Sequence, residues 1–239
     1  MLHSTQGVVL HYFKYSDNSF IVKIFTQKFG LQSYIIKGVN SKKNKSSKAY
    51  FQPLSLVEIS VYYKQKKGLQ TLKEIKSDVV FQSIPFNIKK STVAFFLCEV
   101  LNKLIVEEEP NNDLFEFLFH SVQYLDADEQ NHVNFHLVFL ALLTKYVGIY
   151  PQGIATEDTH YFDIEQGAFK ILKPLHPHTL SRENSLILKS IFQEKYHLTI
   201  SISNDRRSEI LQGLLHYYTS HLQSLQNLKT KEVLSAILS

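Results

Sequence analysis

Residues 19–26 read SFIVKIFT, and the alternation within this run decides the fold. Phe20, Val22 and Ile24 fall on one face of a strand, and Ile21, Lys23 and Phe25 on the other. Both faces are largely apolar, which predicts a strand curled within a barrel. The runs around it have the same character. TQGVVLHYF (5–13) precedes it and LQSYIIKG (31–38) follows, each rich in Val, Ile, Phe and Tyr and bounded by turn formers. LSLVEISVYY (54–63) and, past the turn signal KQKKG, LQTLKEIKS (69–77) bring the count to five strands.

Five strands without a crossover helix between them favour a small antiparallel barrel. A five-stranded, partly open barrel of oligonucleotide-binding (OB) type fits best. An SH3-like barrel competes, and strand count alone does not separate the two. From Asn87 the period changes. STVAFFLCEVLNKLIV (91–106) places Val93, Phe96, Leu97, Val100, Leu101 and Leu104 at helical spacing, with Ser91 as the expected N-cap. NDLFEFLFHSVQYL (112–125), HVNFHLVFLALLTKYVG (132–148), SRENSLILKSIFQEKY (181–196) and DRRSEILQGLLHYYTSHLQSL (205–225) are further helices. The fold class read from this pattern is α+β. An N-terminal OB-type barrel (1–82) precedes an α-helical C-terminal domain (83–239), with an irregular insert or small hairpin at about 149–179.

Charge divides the chain the same way. Residues 1–90 hold fifteen lysines, no arginine and four acids (Asp17, Glu58, Glu74, Asp78), a net charge of +11. Residues 91–239 carry −7, and the whole +4. Such asymmetry suggests two modules, the basic one facing a polyanion. The densest stretch is KGVNSKKNKSSKAYFQP (37–53), with Lys37, Lys42, Lys43, Lys45 and Lys48 and no acid. A solvated loop is the ordinary use of such a run. The excess over the whole module favours anion binding.

Several kinds of chemistry lack support. The chain has neither G-x-x-x-x-G-K-[ST] nor G-x-G-x-x-G, so nothing in it reads as a phosphate cradle. There is no G-x-S-x-G elbow, and Cys98, the single cysteine, sits in the apolar run AFFLCEVL as a small buried residue. His132 and His136 share a helical face but lack the glutamate of H-E-x-x-H, and His176 and His178 read as loop residues. No acid, base and nucleophile assemble, so the chain is read as a non-enzyme. Without a signal sequence or a long enough apolar span, it is expected in the cytoplasm.

Single-stranded nucleic acid is held by cations along phosphates and rings against bases. The basic module interleaves both in HYFKY (11–15), KIFTQKF (23–29), SKAYF (47–51) and VYYKQKK (61–67). Most of these rings are expected in the barrel core, and Tyr62 and Tyr63 must face opposite ways. The DNA-binding set is Lys37, Lys42, Lys43, Lys45, Lys48, Lys64, Lys66, Lys67 and Tyr50. Lysine contacts phosphate as a point charge and lacks the fork that reads guanine, so little sequence preference is expected. Phosphate contact and stacking serve DNA and RNA alike. An RNA-binding or ribosome-associated barrel therefore stays open.

The order of short motifs narrows this. T-x-G-x-V-L (5–10), Tyr15-Ser16-Asp17, FTQKFG (25–30), KGVNSKKNKS (37–46), FQPL (51–54) and YFDIEQGAF (161–169) together resemble the bacterial recombination mediator family RecO. The resemblance implies an OB barrel and a helical domain that bind single- and double-stranded DNA and anneal complementary strands. It also implies action with RecR, docking of the acidic tail of single-strand-binding protein, and so the loading of RecA. By it, Lys37, Lys42, Lys43 and Lys45 fall on the family's basic loop, while Lys48, Lys64, Lys66 and Lys67 follow from charge alone. Many relatives flank the YFD motif with four zinc-binding cysteines. Here those flanks have none, so no structural zinc is expected and no cofactor is implied. Arg206 and Arg207 are the candidate cations for the acidic tail.

Overall fold

The computed structural model describes residues 1–37, 50–65, 67–106, 109–129, 133–154, 156–197, 201–222 and 225–238. SFIVKIFT forms β2 (Ser19–Thr26), the middle of an antiparallel meander with β1 (Leu2–Ser16) and β3 (Gly30–Lys37). β4 (Leu56–Tyr62) and β5 (Gln70–Ser77) complete a closed barrel in the order β1-β2-β3-β5-β4. All pairs are antiparallel except β3–β5, where Tyr34 and Ile35 run parallel to Gln70 and Thr71. The chain is thus the five-stranded OB-type barrel followed by helices, and the crossed order β3-β5-β4 distinguishes it from a simple meander.

β1 closes the ring because it serves two neighbours. Residues 2–8 pair with β4 and residues 7–16 with β2. The changeover falls at Gly7, where a Cβ would collide with Ile24 Cγ2. A substitution there would force the two strands apart. Register shifts beside Val9 and Lys14 mark two irregularities farther along β1.

Val9, Val22, Ile24, Tyr34, Ile36, Phe51, Val57, Ile59 and Val61 fill the barrel, with Phe20 and Tyr50 packed partly against them. The other face of β2 is apolar for a reason besides curling. Phe25 meets Phe115 of helix α2 (Asn112–Ala127), ring centroids 6.3 Å apart. α1 (Ile88–Leu104) lies on β1, and Cys98 Sγ donates to Leu10 O at 2.6 Å. Burial pushes that thiol up to about 12, which leaves it inert. The barrel, α1 and α2 form one compact unit, Met1–Ala127.

Helix α1 starts earlier than Ser91. Asn87 Oδ1 accepts from the Lys89 and Lys90 amides, and Ser91 instead donates to Ile88 O in the first turn. The connection into α1 is fixed by Asp126, whose carboxylate accepts from the amides of Gln82, Ser83 and Ile84 at 2.7–2.9 Å. Partial burial raises its pKa, but those bonds outweigh burial and hold it below the usual carboxylate range.

The second unit is Asp128–Ser239. It contains α3 (Phe135–Tyr146), a hairpin of β6 (Tyr161–Asp163) and β7 (Ala168–Lys170), α4 (Arg182–Glu194), α5 (Asn204–Leu222) and α6 (Thr230–Leu238). Packing holds the insert. Phe162 meets Phe169 and Tyr217, and the Tyr217 hydroxyl donates to Ile149 O. Lys189 of α4, only 7% exposed, donates from Nζ to Thr156 O at 2.5 Å, Thr159 Oγ1 at 3.0 Å and Thr159 O at 3.3 Å.

His136 on α3 is buried. Burial, then the Arg207 charge, lowers its pKa from the usual 6.5 to about 3. Between those values the unfolded chain binds a proton that the native chain does not. Its contribution is therefore neutral above about pH 6.5 and increasingly destabilising as pH falls. From pH 7 to pH 4 the expected loss is about 3 kcal/mol. Urea denaturation across that range should show a flatter dependence for His136→Leu.

Candidate nucleic-acid interface

Of the lysines read from the sequence, Lys37, Lys64 and Lys67 are described, and Lys37 stands apart from the other two. Lys37 ends β3, exposed, and Ser19 opposite it starts β2, so Lys37 shares a strand end with the β1–β2 turn. Lys42, Lys43, Lys45 and Lys48 lie outside the described residues, as does Lys66. Lys64 and Lys67 belong to the β4–β5 turn, at the opposite ends of the strands. That turn is held by buried Gln70. Its Oε1 accepts from the Lys64 amide at 2.9 Å, and its Nε2 donates to Lys64 O and Lys67 O at 2.8 and 2.7 Å. Both lysine side chains are left in solvent. Lys28 and the stacked pair Phe29–Tyr63, centroids 4.1 Å apart, lie at that same end.

Tyr50 is half-buried against the barrel core. Tyr62 points outward and Tyr63 inward onto Phe29, the opposite facing that alternation requires. The unforeseen feature is on β1. Val8, Val9 and Leu10 are buried, but every residue from His11 to Ser16 is exposed. Phe13 is 43% and Tyr15 61% exposed, although the sequence favours core for most such rings. His11 sits opposite Lys23, and Phe13 opposite Ile21. Burial, then Lys23, holds the His11 imidazole below its usual pKa, so the ring is neutral at pH 7. Lys14 pairs with Asp17 at 2.8 Å. The sequence signal for these rings was their crowding in HYFKY, but nothing local tells a covered strand from a bare one.

The two arginines differ. Arg206 is half-exposed and paired with Glu183. Arg207 is buried and donates to Leu238 O at 2.7 Å, Asn134 Oδ1 at 3.3 Å, Ile202 O at 3.4 Å and Asn204 Oδ1. The insert lies between α3 and α4. It has no cysteine, and among the described residues no three His, Cys, Asp or Glu side chains converge as ligands. His176 instead contacts buried Asp163 at 3.3 Å. No described helix is long and apolar enough to cross a membrane.

The geometry is that of a lysine-rich OB-type barrel joined to a helical unit, and comparison with known proteins gives the same pairing. Residues 1–78 match the family model for the N-terminal domain of recombination protein O, and residues 85–232 match its C-terminal domain. The chain is 37% identical over 238 residues to the DNA repair protein RecO of Flavobacterium johnsoniae, covering 98% of each. It is 35% identical over 244 residues to that of Phocaeicola vulgatus, covering both completely, and 32% identical over 239 residues to that of Azobacteroides pseudotrichonymphae, covering 99% of each. With both domains matched in order and relatives alike along their full length, the chain belongs to the RecO family of DNA repair proteins.

Proposed function

We propose that this protein is a non-enzymatic recombination mediator. It binds single- and double-stranded DNA with little sequence preference, anneals complementary strands, and helps RecA load onto DNA coated by single-strand-binding protein. The observation that carries the reading is the fifteen lysines against four acids in the first ninety residues, built on an OB-type barrel. Lysines displace counterions from phosphate, and neutralising two strands at once lowers the repulsion that opposes their pairing. Lys37, Lys42, Lys43, Lys45, Lys48, Lys64, Lys66 and Lys67 are the proposed phosphate contacts. The helical unit supplies docking for RecR and for the acidic tail of single-strand-binding protein, with Arg206 the half-exposed cation of its pair. The protein works on the nucleoid and needs no zinc, since hairpin packing and Lys189 hold the insert.

The test is binding of single-stranded and duplex oligonucleotides of several sequences across a salt series. With all eight lysines on phosphates, affinity for single strands should fall about 2,000-fold between about 50 and 200 mM salt. It should differ little among sequences. Salt-independent binding, or cleavage of the DNA on adding magnesium or manganese, would overturn the proposal.

A further inference from the structure

We propose that the bare stretch of β1, carrying His11, Phe13 and Tyr15 beside Lys23 and Lys14, is a stacking shelf for the unpaired bases of single-stranded DNA. This rests on the DNA-binding reading above and names the part of the ligand that the lysines cannot recognise.

The first argument is where the rings begin. Cover on β1 ends at Leu10, whose carbonyl accepts from Cys98 of α1, and the next six residues are exposed. Beyond that point Phe13 and Tyr15 stand in solvent at 43% and 61%. A single exposed ring is ordinary. Tyr12 packs on Phe20 and Phe51, and His11, Phe13 and Tyr15 are the three exposed rings of the shelf, a concentration that needs a partner.

The second argument is charge. Lys23 faces His11 across the ladder, Lys14 follows Phe13, and Asp17 is engaged by Lys14. An apolar protein surface gains little from this border of cations, whereas a nucleic-acid strand needs rings and cations side by side. The shelf also adjoins Lys37. Lys37, where the lysine-rich run starts, stands opposite Ser19, and Ser19 pairs with Ser16, next to Tyr15.

The third argument is spacing. Side chains two apart on a strand repeat every ~6.7 Å. That is about twice the ~3.4 Å step of successive bases. The His11 and Phe13 ring centroids are 6.0 Å apart with their planes inclined by 34°. The His11 and Phe13 rings therefore match alternate bases of a strand laid along this part of β1, and Tyr15 follows past the irregularity beside Lys14.

The chain has no tryptophan, so Phe13→Trp or Tyr15→Trp introduces a single reporter. Its fluorescence is followed while titrating oligothymidylate or an abasic oligomer with the same number of phosphates. In parallel, Phe13→Ala/Tyr15→Ala is measured against both ligands and a duplex, with circular dichroism showing the fold unchanged. The shelf requires quenching by oligothymidylate and none by the abasic strand. It also requires the double variant to lose about 5-fold or more per ring on oligothymidylate only, with its salt slope intact. If oligothymidylate binds with a steep salt slope but the reporter is silent and the double variant binds as wild type, the shelf is wrong and the phosphate reading survives. If neither strand binds, the DNA-binding reading itself fails and the shelf with it.

Discussion

Changing Lys42, Lys43, Lys45 and Lys48 together to alanine is expected to weaken single-stranded DNA binding by about 10²- to 10³-fold at ~0.1 M salt. The figure follows from counterion release. Each phosphate contact on a single strand contributes about 0.7 to the slope of log affinity against log salt, so four lost contacts make it shallower by about 2.8. At high salt the two proteins should converge, because the lost term is the one that salt removes. Fluorescence anisotropy across a salt series reads both numbers. A variant with unchanged slope and affinity would show that this run solvates the protein or docks another protein. Duplex binding should fall in parallel, since phosphate is the shared target.

Arg207→Met is expected to cost about 3 kcal/mol of stability, whereas Arg206→Ala should cost less than about 1 kcal/mol. The adjacent arginines look equivalent in the sequence. Arg207, however, donates to the carbonyls of Leu238 and Ile202 and to the side chains of Asn134 and Asn204, which ties the end of α6 and the start of α3 to α5. Methionine keeps much of the stem volume but leaves those acceptors without their donor. Arg206 makes one exposed ion pair with Glu183, and such pairs contribute little. Urea midpoints for both variants check this. A loss of partner binding in Arg207→Met with a shifted midpoint would be a folding defect. A midpoint equal to wild type would show that the buried fork is dispensable.

The barrel was legible because its determinants are local. Two-faced apolar strands such as SFIVKIFT, separated by turn formers, do not suit an open sheet with one wet face. The cover on Phe25 was not legible, because Phe115 lies ninety residues away and its packing is tertiary. Nor was the start of α1. Serine and asparagine are both good caps, and the choice of Asn87 is fixed by a connection that Asp126 holds from another helix. At the site, charge counting identified the basic module but could not separate its two ends. Only the ladder shows that Lys37 and Lys64 leave from opposite ends of their strands. The exposed rings of HYFKY and the buried Arg207 are the two cases where residue type points the wrong way. Burial there depends on where a neighbouring helix stops or a carbonyl ends, and composition does not encode that.

The pairing of β1 with β4 has a consequence for synthesis. Leu2 is hydrogen-bonded beside Tyr62, and the ring is completed only by β5, which ends at Ser77. While the chain emerges from the ribosome, the meander of β1, β2 and β3 must wait as an open three-stranded sheet with both edges bare. Such edges recruit other chains, and the delay is inherent in closing long loops. The next residues to appear are the lysines of 37–48, a block of like charge. Like charges on that run repel the same run on a neighbouring nascent copy.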